Sequence, residues 1–245
     1  MPRNFVIRLA DINIGIAHRY RWVRQTCDEY IVDDKPEFIV SVTAADISAE
    51  QKRNSRQRKQ KLKWLAWHHY EATSIYREIC LKLLDYDAFL LHATVVVVNG
   101  DGYAFLAKSG TGKTTHAKFW LKYFGDRAFM VNGDKLILRI VGDKVYVYET
   151  PWCGKANWNT NVGVPLKAIL FLERGQGTMV TKMPSEMIPE RIASQLMFVK
   201  NREQWERTFA LADRAMGLVP MYRLICDMNP NTAMLAWQCI RKIDE

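Results

Sequence analysis

Residues 106–115 read Leu-Ala-Lys-Ser-Gly-Thr-Gly-Lys-Thr-Thr, and this run offers the clearest chemistry in the chain. It fits Gly-x-x-x-x-Gly-Lys-[Ser/Thr] with Ala107 in place of the first glycine. Such a loop turns the backbone N–H groups of Ser109, Gly110, Thr111 and Gly112, and those of the helix start that follows, onto phosphate oxygens. Lys113 then brings a point charge to the β- and γ-phosphates, the Thr114 hydroxyl ligates Mg²⁺, and Thr115 belongs to the same cradle. A triphosphate site also needs an acidic group to hold its metal. The segment Met130-Val-Asn-Gly-Asp-Lys-Leu places Asp134 at the end of the first strand-like run after the loop. Asn132-Gly133-Asp134 is equally turn chemistry. The two readings are compatible, because acids at strand ends on loops commonly serve active sites.

These residues need elements to position them. His-Ala-Thr-Val-Val-Val-Val and Tyr-Ala-Phe-Leu-Ala read as strands joined by Asn99-Gly100, a tight hairpin signal, so the loop follows the second strand of a hairpin. Residues 113–124 read as a helix ended by Gly125, and 127–132 as the next strand. A second hairpin covers 136–149, and 166–173 is another strand. Helices follow near 184–198 and 202–217, then a strand at 221–226 and a helix from about 230. Upstream, 5–16 and 38–43 look like strands, and apolar Leu62, Leu65, Ala72, Ile75, Ile79 and Leu83 recur at helical spacing over 58–86. The expected organisation is a small α+β region over 1–57 and a kinase-sized domain over 58–245. Within the latter, 88–175 forms the nucleotide-binding core and 184–245 the closing helices.

The chain has 245 residues, 49% hydrophobic and 25% charged, an ordinary globular balance. No apolar run has the length of a membrane span, and the first residues hold no apolar signal core. Five cysteines, an odd number without a C-x-x-C pair, fit reduced thiols and hence a cytoplasmic protein, with neither a disulfide framework nor a zinc site. The formal charge is +9, but Lys52, Arg53, Arg56, Arg58, Lys59, Lys61 and Lys63 lie together with no acid among them. This segment is either a solvated helix turn or a docking strip for an acidic acceptor, its cations lacking internal partners.

A hairpin opened by His92, a Ser-Gly-x-Gly-Lys-Thr loop and an acid about twenty residues later resemble the HPr kinase/phosphorylase family. The same core is similar to that of the ATP-dependent phosphoenolpyruvate carboxykinases. The resemblance spans about 88–175 and implies an α/β fold, a P-loop core with β-hairpins. Asp134 matches the second of a family pair of aspartates, the proton acceptor or donor beside the reacting hydroxyl; Gly133 replaces the first. His92 matches the histidine beside that aspartate, although a lone histidine ahead of an apolar strand can equally be structural. Glu149, in Tyr-Glu-Thr-Pro-Trp-Cys-Gly, matches a family metal ligand, without the arginine that usually follows. Residues 1–75 do not match the N-terminal domain of the classical enzymes, and the chain looks more like shorter relatives, such as kinases of lasso-peptide precursors.

The function expected from this is an ATP- and Mg²⁺-dependent kinase acting on a hydroxyl, a serine of a peptide or protein. A kinase of a small molecule such as free serine, and a nucleotide-sensing or nucleic-acid-binding module, stay open as alternatives. The resemblance also implies homo-oligomers. Residues 150–161, with Trp152 and Trp158, are either a substrate lip or a packed loop, and Cys153 there reads as a bystander thiol.

Overall fold

A computed structural model describes residues 3–57, 67–108, 110–132, 135–152, 163–197, 199 and 201–244. The chain divides into two compact units, 1–83 and 84–245. The division follows the long helix, whereas periodicity drew it before that helix, at 57/58.

In the first unit, β1 (Arg3–Leu9) and β2 (Ile12–His18) form a hairpin. Ala10 and Asp11 turn it with φ of 53° and 56°, both in the left-handed region that two-residue hairpin turns require. With β3 (Ile31–Val32) and β4 (Phe38–Ser41) they make a sheet of order β3-β1-β2-β4, with β4 parallel to β2. Three helices join it: α1 (Arg21–Thr26), α2 (Ala44–Gln57) and α3 (Trp67–Leu83). Helix α2 starts on a capping box. The Thr43 N–H donates to Asp46 Oδ2 at 2.8 Å, and the Asp46 N–H donates to Thr43 Oγ1 at 3.2 Å. Helix α3 buries Ala72, Ile75, Ile79 and Leu83, the stripe expected of it. Leu62 and Leu65 of that stripe lie outside the described residues.

A buried bidentate pair links the two helices: Arg77 Nε and Nη2 each donate to Glu50 at 3.0 Å. Arg53 also donates to Glu50, at 2.9 Å. That corrects one expectation for the basic segment, since Arg53 has an acidic partner one turn earlier on its own helix. Lys52 is exposed; positions 58–63 lie outside the described residues.

The second unit is a mixed α/β assembly. Strands β5 (Ala88–Leu91), β6 (Thr94–Val98) and β7 (Asp101–Leu106) precede α4 (Lys113–Phe124). Then come β8 (Ala128–Asn132), β9 (Leu136–Val141), β10 (Lys144–Tyr148), β11 (Gly163–Arg174) and β12 (Thr178–Lys182). Helices α5 (Ile188–Ala193) and α6 (Arg202–Met216), strand β13 (Met221–Cys226) and helix α7 (Thr232–Asp244) follow. Helix α5 is much shorter than the helix expected over 184–198, because a 3₁₀ turn over Ser185–Met187 precedes it and turns at 194–195 end it. The sheet order is β5-β9-β10-β11-β7-β6-β8, with β13 beside β11 and β12 beside β13. The β6–β7 turn holds Asn99 and Gly100 at φ of 52° and 90°, as Asn-Gly requires.

Strand β7 is antiparallel to β6 but parallel to β11, and β11 is parallel to β13. Alternate side chains go to opposite faces. Val95, Val97, Ala104, Leu106, Ile169 and Phe171 pack with Leu211, Ala212 and Ala215 of α6. Val96, Val98, Tyr103, Phe105, Leu170 and Leu172 pack with α4 and α7 through Trp120, Phe124, Ala233 and Ile240. Among the described residues no helix is long and apolar enough to cross a membrane.

Candidate phosphate-binding site

Strand β7 ends in buried Phe105 and Leu106, and the chain then leaves the sheet toward α4. Gly110 and Gly112 have φ of 79° and 118°. A Cβ on either would meet nothing within 4 Å, so glycine is required there by backbone conformation rather than by crowding. Gly112 precedes the first turn of α4, which carries no acidic residue and no side-chain cap among the described residues. The first N–H groups of a helix have no partner within it. Without a side-chain cap among the described residues, an outside acceptor can meet such groups at this helix start, and the helix dipole favours an anion.

Lys113 is 8% exposed, and its Nζ donates to the carbonyl of Ala107 at 2.9 Å, closing the loop on itself. Thr114 is exposed and Thr115 half-buried in the same turn. A second cation, Arg174 at the end of β11, grips the loop from outside. Its Nη2 donates to Gly110 O at 2.6 Å and its Nε to Thr111 O at 3.1 Å. Sequence reading missed Arg174; the only local signal is its place between a strand run and Gly175. Ser109 lies outside the described residues.

Register brings the other expected residues toward one end. Thr94 pairs with Phe105 and Val95 with Asn132, so the start of β6, the end of β7 and the end of β8 coincide. Leu91 pairs with Leu136 and Tyr148 with Ile137, so His92, Lys135 and Glu149 emerge at one end of the β5–β9–β10 group. The β5–β6 and β8–β9 connections join these two ends. His92 is half-buried, and its N–H donates to Gln195 O at 3.0 Å. Glu149 is 1% exposed, and beside it Thr150 Oγ1 donates to Lys135 O at 3.1 Å. Gly133 and Asp134, on the β8–β9 connection, lie outside the described residues, as do Cys153 and Trp158; Trp152 is buried.

Beside the loop is a cavity of about 250 Å³, lined by Thr111, Gly112, His116, Phe119, Arg174 and Asp227 among others. His116, on α4, is 3% exposed; its Nε2 accepts from Trp120 Nε1 at 3.0 Å, and its ring lies edge-on to Phe105. Burial pushes its pKa down to about 4, so the ring is neutral near pH 7. Cys226 also lines the cavity; burial first and Asp227 second push its thiol up to about 11, which keeps it protonated and unreactive. Next to Arg174 in sequence, Glu173 is held below the usual carboxylate range, chiefly by its hydrogen bond from Arg223 and also by Arg191.

These features suit a triphosphate: an uncapped helix start, two positive-φ glycines and a buried lysine across the loop. For its metal, Thr114 offers a hydroxyl and Glu149 a carboxylate. No cluster of three histidines, cysteines or acids that could hold an ion occurs among the described residues, a set that omits Asp134.

No protein-family model matches the chain, and no curated protein matches it. Among solved structures, the HPr(Ser) kinase/phosphatase from Coxiella burnetii aligns with 64% of this chain and 99% of its own. The identity is 9% and the TM-score 0.38.

Proposed function

We propose that the protein is an ATP- and Mg²⁺-dependent kinase that transfers the γ-phosphoryl group to a hydroxyl, most plainly a serine of a peptide or protein acceptor. The observation that carries this reading is the tethered loop: Lys113 bonded to Ala107 O, beneath an uncapped α4 N-terminus. Bound Mg-ATP supplies the activated phosphoryl group. The chain's own task is then to position and to neutralise charge, with little covalent chemistry of its own.

In this reading the N–H groups of Gly110, Gly112, Thr114 and Thr115 hold the phosphates, the Thr111 N–H being taken by Lys108 O at 3.2 Å, and Lys113 balances their charge. Thr114, with Asp134 or Glu149, holds the metal. Asp134 takes the proton of the attacking hydroxyl, and His92 orients Asp134. The basic segment over 52–63 offers an acidic acceptor a place to dock.

The deciding experiment supplies γ-labelled ATP with serine-containing acidic peptides and with free serine. Label in a peptide supports the proposal. Label in free serine alone moves the acceptor to small molecules. Tight nucleotide binding with no transfer to any hydroxyl overturns the kinase reading and leaves a sensing module.

A further inference from the structure

The cavity beside the loop has walls that are mostly apolar: Phe119 of α4, Leu172 of β11, Cys226 at the end of β13 and Met228 just beyond it. A flat, uncharged ring is the kind of ligand such walls accept. Besides Thr111 and Arg174, two polar groups, His116 and Asp227, break the apolar surface, and each has capacity left over.

The first is His116. An indole N–H can only donate, so the bond from Trp120 Nε1 makes His116 Nε2 an acceptor. The proton of the neutral ring therefore sits on Nδ1. That atom is buried and has no hydrogen-bond partner in the protein, an arrangement native structures rarely leave unexplained. The second is Asp227. Its Oδ1 accepts from the Asn229 N–H at 2.9 Å and the Thr232 hydroxyl at 3.4 Å, which leaves Oδ2 able to accept another donor. A ligand that fits has a ring atom that accepts and an amino group that donates.

We propose that this cavity is the base-recognition subsite and that His116 and Asp227 select a purine bearing an exocyclic amino group. A ring nitrogen accepts from His116 Nδ1, and the amino group donates to Asp227 Oδ2. Arg174 joins the two subsites, since it lines the cavity while holding the Gly110 and Thr111 carbonyls. The inference rests on the phosphate-cradle reading and adds base selection to it.

The test is calorimetric binding of Mg²⁺ complexes of ATP, GTP, ITP, UTP and tripolyphosphate. ITP keeps the purine ring and lacks the amino group. Wild-type protein should bind ATP or GTP about tenfold tighter than ITP, UTP or tripolyphosphate, the scale of one hydrogen bond to a charged group. Asp227→Asn should erase the gap between ATP or GTP and ITP while tripolyphosphate binds as before. His116→Phe should weaken every purine nucleotide toward tripolyphosphate. Because that variant strands the Trp120 N–H, Asp227→Asn carries the decision should it fold poorly. Equal binding of all four nucleotides, or an unchanged ranking in Asp227→Asn with tripolyphosphate still bound, overturns base selection and spares the cradle. Failure of wild-type protein to bind any of the five removes the cradle and this inference together.

Discussion

Arg174 and Gly110 lie 64 residues apart in sequence, and the guanidinium of one donates to the carbonyl of the other at 2.6 Å. The same side chain takes the Thr111 carbonyl at 3.1 Å. A planar trans peptide points its C=O and N–H in opposite directions. Holding the Thr111 carbonyl toward β11 therefore turns the Gly112 N–H away from it. The loop is shaped before any ligand arrives, and less ordering remains to oppose binding.

Lys113→Ala removes both the charge in the cradle and the tether to Ala107. Hydrogen bonds to charged groups contribute about 1.5–3 kcal/mol, so Mg-ATP should bind about ten- to a hundredfold more weakly. Calorimetry reads this directly. Wild-type affinity in the variant would refute the cradle.

Asp134→Asn keeps size and polarity but removes the charge that, in the proposed mechanism, accepts a proton or holds the metal. General acid–base assistance is worth roughly 10²–10⁴ in rate, and single-turnover transfer at saturating Mg²⁺ should fall by that order. His92→Ala should do less if it only orients Asp134. A loss below about tenfold for Asp134→Asn rules it out as the central group.

His116 gives a signed pH effect. Its folded pKa, about 4, is below the ordinary 6.5, so the unfolded chain binds the extra proton between those values. Its contribution is therefore fully present above about pH 6.5 and is lost as pH falls toward 4. At 1.36 kcal/mol per pKa unit the loss is about 3 kcal/mol in order of magnitude. Burial is the cause of the shift, and Arg174 and Asp227 are the charged groups that line the same cavity. Urea unfolding at pH 4 to 7 should show a steeper acid loss for wild type than for His116→Phe. Superimposable slopes would mean that His116 takes up its proton in the folded state as readily as in the unfolded one.

The basic segment should act on the acceptor rather than on the nucleotide. Replacing Arg56, Arg58, Lys59 and Lys61 with Gln should raise the acceptor KM and flatten its salt dependence. Screening shortens from ~10 Å at 0.1 M salt to ~3 Å at 1 M. The KM for ATP should stay the same. If neither the acceptor KM nor its salt slope changes, the segment is only a solvated face. Salt-sensitive RNA binding lost in the same variant would favour a nucleic-acid module.

The parts of the fold that were legible are those written in local chemistry. Asn99-Gly100, Gly110 and Gly112 each sit where positive φ is needed, and that need is visible in the residue types. Helix α2 escaped notice because its sequence is mostly polar, although Thr43-x-x-Asp46 marks its start. Strand β12 was passed over for a similar reason: it is a short, largely exposed edge. Arg174, His116 and Asp227 could not be found locally. Their roles come from three elements far apart in sequence that meet only when β7, β11 and β13 lie side by side. Nor could sequence say that Arg53 spends its charge on Glu50.

That side-by-side order has a consequence for a chain leaving the ribosome. Strand β11 is the seam of the parallel group, and Ile169, Leu170 and Phe171 in it are each at most 2% exposed. Its partner β7 is already made when it emerges, but β13, on its other side, comes only after two helices. Until then the nascent polypeptide carries an apolar strand with one row of backbone donors and acceptors open, a template for pairing with other chains. Strand β12 precedes β13 yet pairs with β13 alone, so it cannot shield that row early. A translation pause between residues 174 and 221 would prolong that exposure.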